Sequence, residues 1–263
     1  MNTWRIYRLL VASSLRSRMQ YKFNFWFSSI MSAFISAVEF AMLAVILHKF
    51  GHIQGWSLAE SGYLYAVLHL ARTLYRTFAS DVHHLEKYLV SGDLDGLLLR
   101  PVPVLLGLMT LNVSIRFGEL VQGFVILVWS MHRLIASGQI GFASLPLTLI
   151  AIFSGAVLMF GIGLATASVG FWITRIEVLQ NITEDASRTA AQYPLTIYPK
   201  WMQGLLLSLI PIAFANYMPA LYILRGQGGW WLLAAAVGVA LSVLGAGWAL
   251  WRIGLTRYQS TGS

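Results

Sequence analysis

Long stretches of this chain run for about the thickness of a bilayer with almost no charge, and that spacing constrains its fold more than any motif does. The hydrocarbon core is roughly 30 Å thick and a helical residue rises about 1.5 Å, so about 20 apolar residues make one crossing. Six segments meet this length: Phe23 to Leu47, Ala59 to Phe78, residues 104–131, Leu145 to Ile173, Met202 to Met218 and Trp230 to Ile253. The first, fourth and sixth are unambiguous. The second carries Glu60, His69, Arg72 and Arg76, and in the third the run from Ile115 to Met131 follows an apolar stretch starting at Val102. Only 11% of the 263 residues are charged against 57% hydrophobic, where soluble domains carry roughly 25% charge. Too little polar surface remains to cover a water-soluble core of this length. The expected fold class is therefore all-α integral membrane, one domain of six transmembrane helices over residues 1–263.

The net charge of +8 does not read as a nucleic-acid surface, because the cations flank apolar segments instead of lining one face with interleaved aromatics. With the amino terminus inside, fourteen cations fall in inner segments, among them Arg5, Arg8, Arg16, Arg72, Arg76, Arg100, Arg175, Arg188 and Arg252. Only Lys49, Arg133 and Arg225 fall outside. Lys and Arg are retained on the cytoplasmic side of short loops, so both termini are expected there. The first 22 residues keep their cations through Lys22, unlike a signal peptide. Ile6, Tyr7, Leu10 and Ser14 share one side of a helix and Arg5, Arg8 and Arg16 another, the pattern of an amphipathic helix lying at the headgroup boundary.

Motifs for chemistry are scarce. No GxxxxGK loop occurs, so any ATP with its Mg is expected in a partner subunit and no cofactor on this chain. GxSxG and HExxH are absent, and the absence of cysteine removes disulfides and thiolate sites. Asp81, His83, His84 and Glu86 could suit a metal by residue type. Adjacent histidines point about 100° apart on a helix and only Asp81 and His84 share a face, so a solvated helix surface is the better reading.

The segment DVHHLEKYLVSGDLDGLLLRPVP, from Asp81 to Pro103, is the most informative. Val82, Leu85 and Leu89 form an apolar stripe, Ser91, Gly92 and Asp93 supply turn and cap chemistry, and two prolines follow Arg100. This predicts a short amphipathic cytoplasmic elbow, with Asp93 and Asp95 beside Arg100 suited either to docking a partner or simply to solvation.

Ionisable groups inside spans cost about 2.5–3.5 kcal/mol on insertion scales and turn towards a partner or cavity. Glu39 follows Ser32 and Ser36 at helical spacing, predicting a polar stripe that avoids lipid. Arg116 and Glu119, three apart, can pair. Small residues favour helix contact; Ala234, Gly238, Ser242 and Ala246 form one ridge and Gly161, Gly163, Ala165 and Ala167 another, both expected to pack spans within the subunit. Pro211, Asn216 and Pro219 interrupt the fifth segment, which leaves the stretch to Arg225 as a short re-entrant helix.

GDLDGLLLRPVPVL between the second and third spans, WITRIEVLQN after the fourth, YPLTIYPKWMQGLLLSLIPIAFANYMPA around the fifth and the terminal GLTRYQSTGS together resemble type-2 ABC exporter permeases, in the ABC-2-like branch formerly of unknown function. The resemblance covers most of the chain. It implies a bacterial inner-membrane exporter subunit moving an amphipathic or hydrophobic substrate outward. Each six-span subunit would dimerise, with itself or a paired paralogue, and rest on an ATP-binding cassette ATPase. Carried over by position, Glu86 to Arg100 would be the coupling region with Asp93, Asp95 and Arg100 its polar contacts, and the amino-terminal helix a connecting helix on the same partner. Two other classes compete: an ion-coupled secondary transporter, which needs inverted repeats that are not evident here, and a membrane enzyme acting on lipid, for which DVHHLE is a poor catalytic set.

Overall fold

Among the described residues, four helices are long and apolar enough to cross a membrane: Lys22–Leu47, Phe117–Ala136, Ser144–Phe171 and Trp231–Arg257. They belong to a computed structural model that describes residues 8–9, 11–14, 16, 20–50, 55–113, 115–173 and 175–259. Regular structure among the described residues is wholly helical: α1 (Lys22–Phe50), α2 (Leu58–His83), α3 (Leu85–Ser91), α4 (Asp93–Leu98), α5 (Val104–Leu111), α6 (Phe117–Ala136), α7 (Ser144–Ser168), α8 (Glu177–Ala191), α9 (Lys200–Ser208), α10 (Tyr217–Arg225) and α11 (Trp231–Arg257). Much of the expected amino-terminal interfacial helix, including Arg5, Ile6, Tyr7 and Leu10, lies outside the described residues.

Helix α2 is the hub. It starts at a capping box, in which Ser57 Oγ accepts the Glu60 amide and the Glu60 carboxylate accepts the Ser57 amide, a pairing that satisfies two donors otherwise orphaned at a helix start. Every residue from Glu60 to Ala71 is buried. Its side chains and backbone tie it to the elements around it: Tyr63 Oη meets Thr148 Oγ1 of α7 at 2.9 Å, Tyr65 Oη donates to the Ser36 carbonyl of α1 at 3.0 Å, and Asn216 donates to the Leu64 carbonyl at 3.1 Å. The helix kinks at Ala79, where the backbone leaves the helical region.

Helices α7 and α11 touch backbone to backbone. A Cβ on Gly161 would stand 2.7 Å from the Leu244 nitrogen, and one on Gly247 2.7 Å from the Gly161 carbonyl oxygen, so glycine is required at both places. Gly163 packs on the Tyr75 ring of α2, so the small residues of the fourth span do pack spans within the subunit. The ridge expected in the sixth span does not. Ala234, Gly238, Ser242 and Ala246 are all exposed, and a Cβ on Gly238 meets nothing. The buried ridge is instead Leu233, Ala236, Ala240, Gly247 and Trp251. α11 carries small residues on two faces, and only the position of its neighbour α7 selects between them.

Two expected spans differ from simple rods. The third is divided into α5, which ends at Leu111, and α6, which starts at Phe117. The fifth is divided by a 3-10 turn at Ile212–Ala215 into α9 and α10, each nine residues long and so about 13 Å, under half of a crossing. The segment from 174 to 201, expected as an inner loop, contains α8, which runs antiparallel beside α2. Gln180 of α8 donates to the Val82 carbonyl at 3.3 Å, while Asn216 bridges the Ala191 carbonyl, at the other end of α8, to that of Leu64. α8 needs no apolar composition for this position because Glu184 and Arg188 are met by charges of α2 and α1 while Glu177 and Asp185 stay exposed.

Candidate functional site

The charged residues of α2 converge on one carboxylate from α8. Glu184, whose side chain is 8% exposed, accepts from Arg72 Nε at 3.2 Å and from the Arg76 guanidinium, and its other oxygen lies 3.0 Å from His83 Nδ1. A buried carboxylate stands to lose hydration worth several kcal/mol, which only close partners offset. Four residues further along α8, Arg188 Nη1 reaches Glu39 Oε1 of α1 at 2.8 Å. Glu39 therefore has a cation from another segment as its partner, and the stripe that leads to it is partly buried, Ser29 and Ser36 being 7% exposed. Arg188, counted among the inner-loop cations, thus sits against the middle of the first span.

On the next face of α2, Arg116 Nη1 and Glu119 Oε1 are 2.8 Å apart, Thr73 Oγ1 donates to Glu119 Oε2 at 3.4 Å, and the His69 ring meets the Glu119 backbone carbonyl at 3.2 Å. At the Glu60 end, Arg225 Nε lies 2.9 Å from Glu60 Oε1, Gln139 donates to the same oxygen, and the guanidinium stacks on Trp56 with its carbon 4.0 Å from the ring centre.

The elbow is two short helices, α3 and α4, hinged at Gly92, whose φ of 74° favours a residue without Cβ. Leu85, Leu89, Leu94 and Leu97 turn inward and anchor it. Asp93 and Arg100 are exposed, and Ser91 Oγ donates to the Asp93 carboxylate at 2.7 Å. Asp95 is half-buried and lies near the Tyr258 phenol, whose pKa is raised first by burial and then by that negative charge. Glu86 has a different place from its three companions. Its carboxylate accepts the backbone amides of Ile176, at 2.6 Å, and Glu177, closing the first turn of α8, where orphan amides and the helix dipole favour an anion. Asn112 Nδ2 donates to Asp81 Oδ1 at 3.1 Å and to Tyr88 Oη at 3.3 Å, tying the elbow to the break before α6. Burial, then Asp81, pushes the Tyr88 phenol up to about 12.

Sequence reasoning missed two features. Glu184 was lost inside a presumed loop, although its helical offset of four from Arg188 was available as a signal. Val90, Leu98 and Leu99, which are 57%, 45% and 87% exposed, present apolar surface on the elbow; Val90 directly follows the inward Leu89, and Leu98 and Leu99 follow the inward Leu97. The elbow thus couples solvated charge to an exposed hydrophobic tip, anchored on α8 through Glu86.

Neither the curated proteins nor the solved structures contain a match to this chain. The family model described as ABC-2 family transporter protein matches residues 33–262, taking in the later part of the first apolar helix, the other three, the elbow and α8. By that match over nearly its whole length, this membrane protein belongs to the ABC-2 family of transporters, as a permease component of an ABC transporter.

Proposed function

We propose that the chain is the six-crossing permease subunit of an exporter whose ATP hydrolysis occurs in a separate ATPase, and that the elbow is where that ATPase grips it. Four crossings are the apolar helices. In this reading α2 is a fifth, solvated by protein instead of lipid, and the broken α8 to α10 segment supplies the sixth. Both termini then lie in the cytoplasm of a bacterial cell, on the His83 side of α2, and the Glu60 end faces outward. Subunits work in pairs, as two copies or with a paralogue, and the cargo is amphipathic or hydrophobic.

The observation that carries this reading is the exposed tip of the elbow, Leu98 and Leu99 with Asp93 and Arg100 beside them. An apolar centre with a charged rim is the pattern of a protein contact surface, and this one is mounted on short, well-anchored helices. Glu86 supplies the onward connection. Motion of the elbow pulls the start of α8, and α8 grips α2 through Glu184 and α1 through Arg188.

Photo-crosslinking from positions 95 and 99 in native membranes tests the grip. Capture of an ATPase subunit supports it; capture of none overturns it. Glu86→Ala tests the connection: the complex with the ATPase should form as before while transport per ATP hydrolysed falls. Unchanged coupling in that variant removes Glu86 from the route.

A further inference from the structure

Between the His83-side half of α1 and the break before α6 lies a half-open polar groove of 490 Å³, within the roughly 300–1,000 Å³ typical of small-molecule sites. Its polar lining includes Asn24, Ser28, Ser32, Asn112, Arg116 and Glu119. Its depth can be read along α2. Asn112 is at the level of Asp81 and Glu119 at the level of Thr73, eight helical positions apart, or about 12 Å. A polar furrow of that depth beside an apolar helix cannot be left facing acyl chains without large cost.

The charges in the groove select its occupant. Arg116 is two-thirds buried, its Nη1 is held by Glu119, and its Nε is buried with no hydrogen-bond partner among the described residues. The described lining thus holds one cation, one anion and several neutral donors and acceptors. A net-negative guest would bring a charge that nothing in it balances, whereas a zwitterion would not. Around the groove, Tyr21, Trp26, Ile115 and Phe117 are exposed apolar surface, with Trp26 and Phe117 edge to face at 5.9 Å, a rim suited to acyl chains.

We propose that this groove binds the headgroup of an amine-bearing zwitterionic phospholipid, of the phosphatidylethanolamine type, from the cytoplasmic leaflet. The phosphate meets the Arg116 guanidinium, the ammonium lies among the side-chain oxygens of Asn24, Ser28 and Ser32, and the acyl chains cover the aromatic rim. The leaflet rests on the orientation proposed above; the site itself does not.

Native mass spectrometry of the full protein, released from nanodiscs holding equal phosphatidylethanolamine and phosphatidylglycerol, tests this without ATP or transport. Retention of phosphatidylethanolamine should exceed that of phosphatidylglycerol about tenfold, equivalent to roughly 1.4 kcal/mol. Filling the groove with Ser28→Leu and Ser32→Leu should abolish that preference, while Ser242→Leu, on the exposed face of α11, should leave it intact. Arg116→Gln should weaken retention but not preference for a neutral guest. Equal retention of both lipids overturns the proposal, as does unchanged preference in the serine double variant. Disulfide capture of two copies through Ser28→Cys, with no lipid retained, would assign the groove to a subunit contact and likewise overturn it. Because no arm requires an ATPase, failure here leaves the exporter reading standing, and failure of that reading leaves these results unchanged.

Discussion

Helices α1 and α2 are neighbours of similar length with opposite relations between composition and burial. The apolar window of α1 has a mean hydropathy of 2.3, yet only 17% of it is buried within the protein, and Phe23, Ile30, Phe34 and Val45 are more than half exposed. In α2, Glu60, His69, Arg72, Arg76 and His83 sit in a helix that is almost wholly enclosed. In water the arrangement would be inside out. In a bilayer it is the low-energy one, because apolar side chains can face lipid at no cost while each charge must be enclosed with a partner. Of the two, the more polar helix is the core and the more apolar one is its outer wall.

The sharpest way to break this comparison is to remove the carboxylate on which the α2 cations converge. Glu184→Ala should lower unfolding stability by about 3–5 kcal/mol, as expected when one member of a buried charge cluster is lost. Denaturant titration in detergent would measure it, and an unchanged midpoint would mean that α2 does not depend on α8. Next in size is the seam between α1 and α6, where a Cβ on Gly118 would lie 1.8 Å from the Ser29 carbonyl oxygen. Gly118→Val forces the helices apart and should cost about 1–3 kcal/mol, whereas Gly238→Val, facing open space, should leave the melting curve in place.

Glu39→Gln should cost less, about 1 kcal/mol or below, because Glu39 and Arg188 remain 26% and 30% exposed. A larger loss would show that the membrane seals this pair more fully than the subunit alone does. The smallest effect is expected on the outer wall. Ile30→Ala, at a side chain 59% exposed, should shift stability in detergent by less than about 0.5 kcal/mol; a larger loss would place a protein partner on that face of α1.

Much of the first, fourth and sixth spans was legible because an uncharged run of bilayer length has few alternatives. The elbow was legible too, since Val82, Leu85 and Leu89 repeat at helical spacing and Ser91, Gly92 and Asp93 break it; the hinge at Gly92 and the Ser91 bond to Asp93 occupy that break. The pairing of Arg116 with Glu119 needed only their offset of three. Glu39 announced itself as a charge needing company, but its partner is 149 positions away in sequence, and no local pattern names Arg188. Glu184 and the α8 helix were hidden by their polarity: a charged segment reads as a loop unless the residues that neutralise it are known.

By itself the sequence determined the solvent of this protein, the places where its chain is apolar enough to cross and the charges that could not be left in lipid. Those follow from transfer free energies, which are properties of single side chains and their near neighbours. Which small-residue face of α11 is buried, which carboxylate holds Arg72 and Arg76, and that Glu86 caps α8 instead of facing solvent were decided only by tertiary structure. Each is a choice among several locally acceptable partners, and the one realised depends on where distant helices are placed by the packing of all the others.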